Sequence, residues 1–371
     1  MNSLLKYQIA LSLIKGIGPK LARNLIAYLG GVEPVFAKKQ DLSRVPGIGT
    51  VLAGKIQQLG LKEALDRASE EIEYIEKNDI KTLFFTDENY PRRLANCEDA
   101  PLMIYMKGEH CLDVKKVISV VGTRRPTDDG ISLCEKLIAD LSVRHPEVLI
   151  VSGLAYGIDI CAHRAALRNQ LATVGVLAHG LDRVYPGSHY NTSRDMIERG
   201  GLVTEFLSGS NPDRQNFVRR NRIIAGLCDA VVVVESAEKG GALITADIAS
   251  SYNRDVMAFP GRVGDEVSKG CNKLIKSNMA ALIESVDDLE YVLGWESTDK
   301  TSATSQGNLF AVAETPFEKS IIDILLVEKE MNLNLLVLKT GMPVGKLSAV
   351  LLDLEFKGMI KSRPGGIYKI I

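Results

Sequence analysis

Residues 117–125 read VISVVGTRR, a strand-like apolar run that ends at a glycine and is followed by two arginines. Runs of the same kind recur along the middle of the chain, at residues 148–151, 173–177, 202–204, 230–234 and 256–259. Helical stretches separate most of them, and Val/Ile/Leu runs separated by helices are typical of a parallel sheet covered on both faces. We therefore expect a Rossmann-like α/β fold, whose ligands bind beyond the carboxyl ends of the strands.

Five glycine- or arginine-rich segments lie where predicted strands end. They occupy residues 121–125, 152–159, 179–186, 214–222 and 239–245. Glycine at a strand-to-helix turn lets backbone N–H groups approach an oxyanion, and the helix dipole favours negative charge there. One such loop is weak evidence, because a tight turn needs glycine for its shape alone. Several loops at one edge, together with arginines, predict a phosphate-rich ligand.

Residues 211–226 contain four arginines and one aspartate, the densest basic run in an otherwise acidic region. Phe217 lies between Arg214 and Arg220, a combination of stacking surface and cation that suits single-stranded nucleic acid. The first strand-to-helix turn lacks the G-x-G-x-x-G pattern of dinucleotide-binding folds, and the chain has no P-loop sequence. These features favour a nucleic-acid backbone over a small molecule, so we expect no cofactor.

The first 68 residues contain an internal repeat. IKGIGPK at residues 14–20 precedes the helical pattern Leu21–Leu29, and VPGIGT at residues 45–50 precedes Val51–Leu59. The two copies look like a tandem helix-hairpin-helix module, in which Gly-Ile-Gly turns present backbone N–H groups to DNA phosphates. A helical packing domain that uses glycine only to connect helices is equally compatible with the pattern.

A polar stretch separates the middle of the chain from its C-terminal part. Residues 296–316 are low in large apolar groups, which predicts a flexible linker between a body of residues 69–295 and a domain of residues 317–371. Helical patterns, a turn at residues 340–343 and a hairpin around Pro364-Gly365-Gly366 predict that this last domain is a winged helix.

The third predicted helix of the winged-helix domain covers residues 344–357 and contains Lys346 and Ser348. DNA recognition would lie on this helix. The domain carries 8 basic and 6 acidic groups, a net charge of only +2. A domain that contacts protein is therefore as compatible with the sequence as one that contacts DNA.

The net charge of the chain, −1, is a sum of regions of opposite sign. Residues 1–68 carry 10 basic and 4 acidic groups (+6), and residues 69–295 carry 26 and 33 (−7). The linker adds 1 basic and 3 acidic groups (−2). This distribution excludes a protein that binds polyanions over its whole surface. It does not exclude a confined DNA groove, because binding depends on local fields.

Composition also indicates the cellular compartment and argues against a membrane span, a metal site and a catalytic site. No apolar run approaches the roughly 18 residues needed to cross a bilayer, and none of the six cysteines forms a CxxC pair. We expect a cytoplasmic protein with no membrane partner. The five histidines lack metal-ligand spacing, and no Ser-His-Asp order or paired carboxylate stands out, so no metal site and no catalytic residue is predicted.

The ordered set of motifs resembles the DprA/Smf family of DNA-processing proteins, over at least residues 74–295. The motifs that carry the resemblance are VGTR (121–124), SGLAYGID (152–159), GLDRVYP (180–186), RNRIIAGL (220–227), ALITA (242–246), FPG (259–261) and GCNKLI (270–275). The resemblance implies a non-catalytic protein of natural transformation that coats incoming single-stranded DNA. It also implies a homodimer through the Rossmann-like domain, and RecA as a partner that is loaded onto the strand.

The resemblance assigns DNA-binding roles to individual residues. Arg124 would hold a phosphate, Arg214 would contact the backbone and Phe217 would stack on a base. Gly240 and Gly241 would present backbone N–H groups to phosphate. The other predicted DNA-binding residues are Gly122, Arg125, Arg219, Arg220, Asn221, Arg222 and Lys273. The Arg-Asn-Arg run is equally suited to bracing the loops internally.

Departures from the family pattern leave details of the groove open. Gly187 follows Tyr185-Pro186 where some relatives carry a DNA-binding lysine, and Gly241 replaces a serine.

Two functions other than single-strand DNA binding are compatible with parts of the sequence. Gly240-Gly241 with Thr245 loosely resembles a loop of nucleoside-monophosphate phosphoribohydrolases, but residues 246–250 lack the glutamate that those enzymes need. The other is a partner-binding protein that does not bind DNA.

Overall fold

The computed structural model describes residues 3–37, 42–55, 61–295, 315–363 and 365–370. The chain divides into two compact units. The first extends to Trp295, apart from Ala95–Glu98, which groups with the second. The second unit contains the C-terminal helices and strands.

The first unit begins with four α-helices, and two equivalent Gly-Ile-Gly turns precede the second and the third of them. The helices are α1 (Ser3–Leu13), α2 (Pro19–Leu29), α3 (Thr50–Lys55) and α4 (Leu61–Lys77). Gly16 and Gly47, in the turns, have φ of +87° and +88°, a conformation that glycine adopts without steric cost. A Cβ on Gly16 would lie 3.1 Å from the Leu52 side chain, and one on Gly47 would lie 2.7 Å from that of Leu21. Each turn therefore packs against the helix of the other copy, as a tandem repeat predicts.

Two predicted boundaries of this helical region, the end of its last helix and the end of the domain, can be compared with the structure. Residues 56–59, the end of the second predicted helix, lie outside the described residues. The predicted boundary between residues 68 and 69 lies inside α4, which continues to Lys77 and packs on α1. The helical region and the sheet consequently belong to one compact unit.

A nine-stranded sheet forms the centre of the first unit. Its strands are β1 (Lys81–Phe84), β2 (Met103–Lys107), β3 (Val117–Val121), β4 (Leu149–Ser152), β5 (Thr173–Val176), β6 (Gly201–Thr204), β7 (Ala230–Val233), β8 (Asp255–Ala258) and β9 (Ala281–Leu282). The six runs of the predicted sheet correspond to β3–β8, and each end agrees within one residue. Their apolar residues are buried because helices cover the sheet, which confirms the Rossmann-like α/β class.

The strand order is β1-β2-β6-β5-β4-β3-β7-β8-β9. Pairing is parallel from β6 through to β9, whereas β2 pairs antiparallel with both β1 and β6. The six predicted runs pair in parallel with one another as expected, and β1 and β2, which precede them, make the sheet mixed at one edge. The chain moves outward from β3 on one side and from β7 on the other. Ligand crevices form where the order reverses in this way, here between β3 and β7.

Eight helices accompany the strands. They are α5 (Arg92–Ala95), α6 (Asp128–Arg144), α7 (Ile158–Arg168), α8 (Tyr190–Arg199), α9 (Arg214–Leu227), α10 (Gly241–Ser251), α11 (Lys269–Lys276) and α12 (Val286–Leu293). Leu137 and Leu141 of α6 pack with Ile118 and Val120 of β3 in the main apolar core. Full burial of each such side chain contributes about 1.5–3 kcal/mol, so this core positions the loops at the ends of the strands.

The second unit is a winged-helix domain. Its elements are α13 (Pro316–Glu328), β10 (Glu330–Asn332), α14 (Leu333–Thr340), α15 (Val344–Phe356), β11 (Ile360–Arg363) and β12 (Ile367–Ile370). The strands form a sheet in the order β10-β12-β11, and Leu325, Leu336 and Leu351 from the three helices are buried together. Residues 296–314 of the predicted linker lie outside the described residues, and Thr315 caps α13 by accepting from the Glu318 N–H.

None of the helices in the described ranges is, by itself, both long and apolar enough to cross a membrane. Helices α14 and α15 meet the criteria of length and composition only as a pair, and they are bent by 109° at the break between them.

Candidate nucleic-acid interface

A cavity of about 550 Å³ opens at the point where the strand order reverses. We call it the switch-point cleft. It is bounded by the loop after β3, the beginning of α9 and the beginning of α10. Eight of the predicted DNA-binding residues line it: Gly122, Arg124, Arg214, Phe217, Arg220, Asn221, Gly240 and Gly241. Lys239, which the sequence prediction did not include, also lines it.

The turn after β3 is fixed by close backbone packing. The Thr123 N–H donates to the Glu235 carbonyl (2.7 Å), and the Ile158 N–H donates to the Thr123 carbonyl (3.2 Å). Gly157 has φ of +80°, and a Cβ there would lie 2.2 Å from the Thr123 carbonyl oxygen. Glycine is therefore required for this approach, which holds the backbone beneath the exposed side chain of Arg124.

The carboxylate of Glu235 braces the same turn from the other side. It accepts from the Thr127 N–H (2.8 Å) and from the Thr127 hydroxyl (2.7 Å), and the residue is buried. Its part is to order the loop and the start of α6.

Phe217 lies at the centre of a group of cations and aromatic rings. The Arg124 guanidinium carbon lies 5.3 Å from the centre of the Phe217 ring, and that of Arg220 lies 5.8 Å from it. The Tyr185 ring is 6.0 Å away, centre to centre, at 60°. These are cation–π and tilted aromatic distances, so the partners orient a half-buried ring at the wall of the switch-point cleft.

Arg220 forms the floor of the switch-point cleft and is buried. Its Nη1 donates to the Val176 carbonyl (2.6 Å), and a Cβ on Gly153 would lie 1.9 Å from that nitrogen. Burial lowers the pKa of Arg220 to about 10, while the charge of Asp159 opposes this change. Burial likewise raises the pKa of Asp159, and the Arg220 charge counteracts it. This buried pair favours the bracing role over direct DNA contact for Arg220.

The beginning of α10 supplies backbone donors. Gly240 precedes the helix and Gly241 starts it, and among the described residues neither a side-chain cap nor a first-turn acid occupies this end. The Gly240 N–H donates to the Ala237 carbonyl (3.0 Å), so the expected phosphate contact of this N–H is corrected, and the donors that remain for an anion begin with Gly241. A Cβ on Gly241 would meet no atom within 4 Å. The N-terminus of α10 therefore opens into the switch-point cleft, where the helix dipole and free N–H groups favour an anion.

Four of the predicted residues do not line the switch-point cleft. Arg219 and Arg222 both donate to Oε2 of Glu205, and Arg222 is buried and also donates to the Asp99 carbonyl. These two arginines face a different cavity, beside the first Gly-Ile-Gly turn. For Arg222 the structure thus corrects the expectation of a DNA contact, since both ends of its guanidinium are bound within the protein.

The other two lie elsewhere. Lys273 lines a neighbouring cavity between α10 and α11, with its Nζ 4.0 Å from Glu238. Arg125 is exposed in the loop after Arg124.

Tyr185 is a candidate site residue that the sequence analysis treated only as part of a loop. Its N–H donates to Nε2 of His179 (3.2 Å), and Nδ1 of His179 is 2.8 Å from the Gly180 carbonyl. His179 therefore holds the loop that brings Tyr185 to Phe217. The Tyr-Pro pair was visible in the sequence, but its proximity to Phe217, 32 residues further on, comes only from the fold.

The described ranges contain no group of three or more His, Cys, Asp or Glu residues placed to hold a metal ion. The chemistry that the switch-point cleft offers is cationic, aromatic and backbone N–H. Such groups bind phosphates and planar rings.

Comparisons with known proteins agree with this architecture. A family model described as DNA recombination-mediator protein A matches residues 81–293, and a model of the DprA winged helix domain matches residues 314–366. Over 403 residues the chain is 33% identical to Protein Smf of Synechocystis, covering 99% of both chains. It is 41% identical over 206 residues to DNA processing protein DprA of Streptococcus pneumoniae, covering 55% of this chain and 71% of that one.

Two solved structures are similar to the chain. The X-ray structure of DNA processing protein A from Streptococcus pneumoniae matches with a TM-score of 0.66 and 30% identity, over 77% of this chain and 97% of that one. The structure of DNA processing protein A from Helicobacter pylori, reported for its single-stranded DNA binding mode, matches with a TM-score of 0.53 and 27% identity. That match covers 58% of this chain and 96% of the other.

Proposed function

The chain belongs to the family of DNA recombination-mediator protein A, also called DprA or Smf, and from this premise we propose that it binds single-stranded DNA in the switch-point cleft. The main support for the proposal is the Phe217 ring, which has the guanidinium carbons of Arg124 and Arg220 at 5.3 Å and 5.8 Å from its centre. A base can stack on such a ring only if it is unpaired, because both faces of a base are covered in a duplex.

Phosphate contacts come from the groups around the ring. Arg124 and Arg214 are exposed at the mouth of the switch-point cleft, and Lys239 lies beside the free N-terminus of α10. Contacts of this kind fix a strand in register without reading its sequence. We therefore expect binding that depends little on base sequence and falls steeply as salt rises.

The proposed role continues with RecA. A protein that holds single strands and belongs to a family of recombination mediators could deliver those strands to RecA, and no step of that role requires catalysis by this chain.

The homodimer is proposed at the β9 edge of the sheet. Ile244, Met279 and Leu282 expose 39%, 42% and 47% of their surface near this edge, an apolar set that a second copy would cover.

Binding to labelled oligonucleotides, measured by fluorescence anisotropy across a salt series, tests the proposal. We expect tighter binding of single strands than of duplex, and a large loss in the double variant Arg124→Ala, Phe217→Ala. Arg194→Ala, an exposed arginine of α8 that does not line the switch-point cleft, is the matched control. Unchanged affinity in the double variant would place the DNA elsewhere on the protein.

RecA loading and dimerisation have their own measurements. The rate of RecA filament formation on single strands should rise when the protein is added, and it should not rise with the Arg124, Phe217 double variant. Leu282→Glu should lower the mass measured by sedimentation. Release of free base from AMP, followed by chromatography, would instead support the nucleotide-hydrolysing alternative and count against a non-catalytic protein.

A further inference from the structure

The exposed face of α15 is apolar where a DNA-reading helix would be basic. Leu352 exposes 52% of its surface and Phe356 exposes 82%. Gly345 and Ala349 are exposed too, and with 3.6 residues per turn these four residues lie within about 60° of one another around the helix. They form a continuous stripe of two small residues followed by two large ones, which we call the α15 stripe.

One flank of the α15 stripe carries a single charge of each sign. Lys346 and Asp353 are both exposed, and their positions lie about 20° apart around the helix, close to a quarter turn from the stripe. The Lys346 ammonium already lies 3.6 Å from the centre of the Phe317 ring of α13. A face with one cation, one anion and an apolar centre has little attraction for a phosphate backbone.

We propose that the α15 stripe is an interface with the α15 stripe of a second copy of this chain, the two helices running antiparallel across a two-fold axis. In that register Gly345 lies opposite Phe356 of the second copy, and Ala349 lies opposite Leu352. Each large side chain then meets a small residue, which is the complementarity that close helix packing needs. Each contact occurs twice, as an isologous interface requires.

The charges of Lys346 and Asp353 also favour a second copy of this chain with its α15 antiparallel to the first. A two-fold axis perpendicular to the helix pair keeps equivalent flanks on the same side, so Lys346 of one copy faces Asp353 of the other. In a parallel pair the two-fold axis runs along the helices and places equivalent flanks on opposite sides, so Lys346 and Asp353 of the two copies would not meet. A second copy thus satisfies the shape and the charge of the face at once, and this inference does not depend on the proposed DNA binding.

Cross-linking of the full-length protein tests the contact between two α15 stripes. The test applies whether the two stripes belong to one dimer formed at the β9 edge or to two different dimers. All variants carry Cys111→Ser, which removes the exposed native cysteine. Ala349→Cys, treated with a short bis-maleimide, should give a covalent dimer, and Asn334→Cys on α14 should not. Leu352→Glu should lower the yield of the Ala349→Cys dimer roughly tenfold, because it places a charge in the apolar centre. Leu326→Glu, at a leucine of α13 that is 60% exposed, should leave the yield unchanged.

A mixing experiment tests the pairing of charges. Lys346→Glu and Asp353→Lys, each combined with Ala349→Cys, should each lower the yield several-fold, because like charges then face each other. An equimolar mixture of the two variants should restore cross-linking between them, since every facing pair is again opposite in charge. Failure of the mixture to recover would overturn the proposal. It would also be overturned by unchanged yields together with weaker duplex binding in Lys346→Glu, an outcome that assigns the face to DNA.

Discussion

The sequence predicted DNA contacts on α9 and left DNA contact and protein contact equally open for α15, and the structure gives the two helices opposite surfaces. On α9, Arg214 and Phe217 line the switch-point cleft while Arg220 lies beneath them. On α15, the exposed face is dominated by Leu352 and Phe356. Both helices carry an aromatic residue and at least one cation, so residue types alone do not distinguish them.

The difference lies in what surrounds each cation. Arg124 lies over the Phe217 ring at the edge of a cavity that also contains the free N-terminus of α10. Lys346 has an aromatic neighbour as well, Phe317, but it does not line the switch-point cleft and lies on the flank of the apolar α15 stripe. A phosphate site is indicated better by several cations and N–H donors grouped at one cavity than by the number of charged residues on a helix.

The largest effect that we expect concerns the floor of the switch-point cleft. Arg220→Ala should lower the free energy of unfolding of the first unit by about 3–5 kcal/mol, because it leaves the buried Asp159 without its counter-charge. Urea unfolding followed by the fluorescence of Trp295, the sole tryptophan, measures this unit alone. Arg214→Ala, on the same helix but exposed, is the control; an equal loss there would contradict a bracing role for Arg220.

The second prediction contrasts the two exposed aromatic residues. Phe217→Ala should weaken single-strand binding by about 1–3 kcal/mol, the contribution of one stacked base, which is roughly a factor of 10 to 100. Phe356→Ala on α15 should leave single-strand affinity unchanged. Anisotropy titrations with one oligonucleotide compare both variants with the unaltered protein, and similar losses in the two would remove the distinction between the helices.

The third prediction separates the two units by their response to acid. His163 is buried, its Nδ1 lies 2.7 Å from the Thr173 hydroxyl, and its Nε2 has no hydrogen-bond partner among the described residues. Burial lowers its pKa from 6.5 to about 3. Between these values the unfolded chain binds a proton that the folded protein does not, so stability is complete above pH 6.5 and is lost as pH falls towards 3.

Between pH 7.5 and pH 5.5 this histidine should remove about 1.4 kcal/mol from the stability of the first unit. Trp295 fluorescence in urea at the two pH values measures the change, and His163→Leu should reduce it by that amount. Residues 315–370 contain no histidine, so the winged-helix domain should lack this dependence. An unaltered pH dependence in the variant would assign the effect to other groups.

The smallest effect is expected for Arg219. Its side chain is 56% exposed and shares Glu205 with Arg222, so Arg219→Ala should cost less than about 1 kcal/mol of stability. Because it does not line the switch-point cleft, single-strand affinity should stay within about twofold. A tenfold loss of affinity would extend the interface across α9 to the cavity beside the first Gly-Ile-Gly turn.

Local sequence was sufficient for the strands and the turns. The apolar runs that became β3–β8 are long enough and apolar enough to require burial on both faces. The antiparallel β1 and β2 were harder to foresee, because strand direction depends on partners distant in sequence. The continuity of α4 through residue 68 was missed for a similar reason: an amphipathic pattern shows that a helix exists but not which domain it packs on.

The sequence by itself determined the fold class, the family and the set of segments that meet at one edge of the sheet. The fold class and the set of segments follow from periodicity and from glycine at strand ends, and the family follows from the resemblance of the ordered motifs; all of these can be read along the chain. Only the tertiary structure decided which arginines are available. Arg214 and Arg222 are eight residues apart on one helix, yet one is exposed at the switch-point cleft and the other is bound to Glu205 and to the Asp99 carbonyl. The reason is physical: the free energy of a charged group depends on the atoms that the fold places around it, and these come from distant parts of the chain.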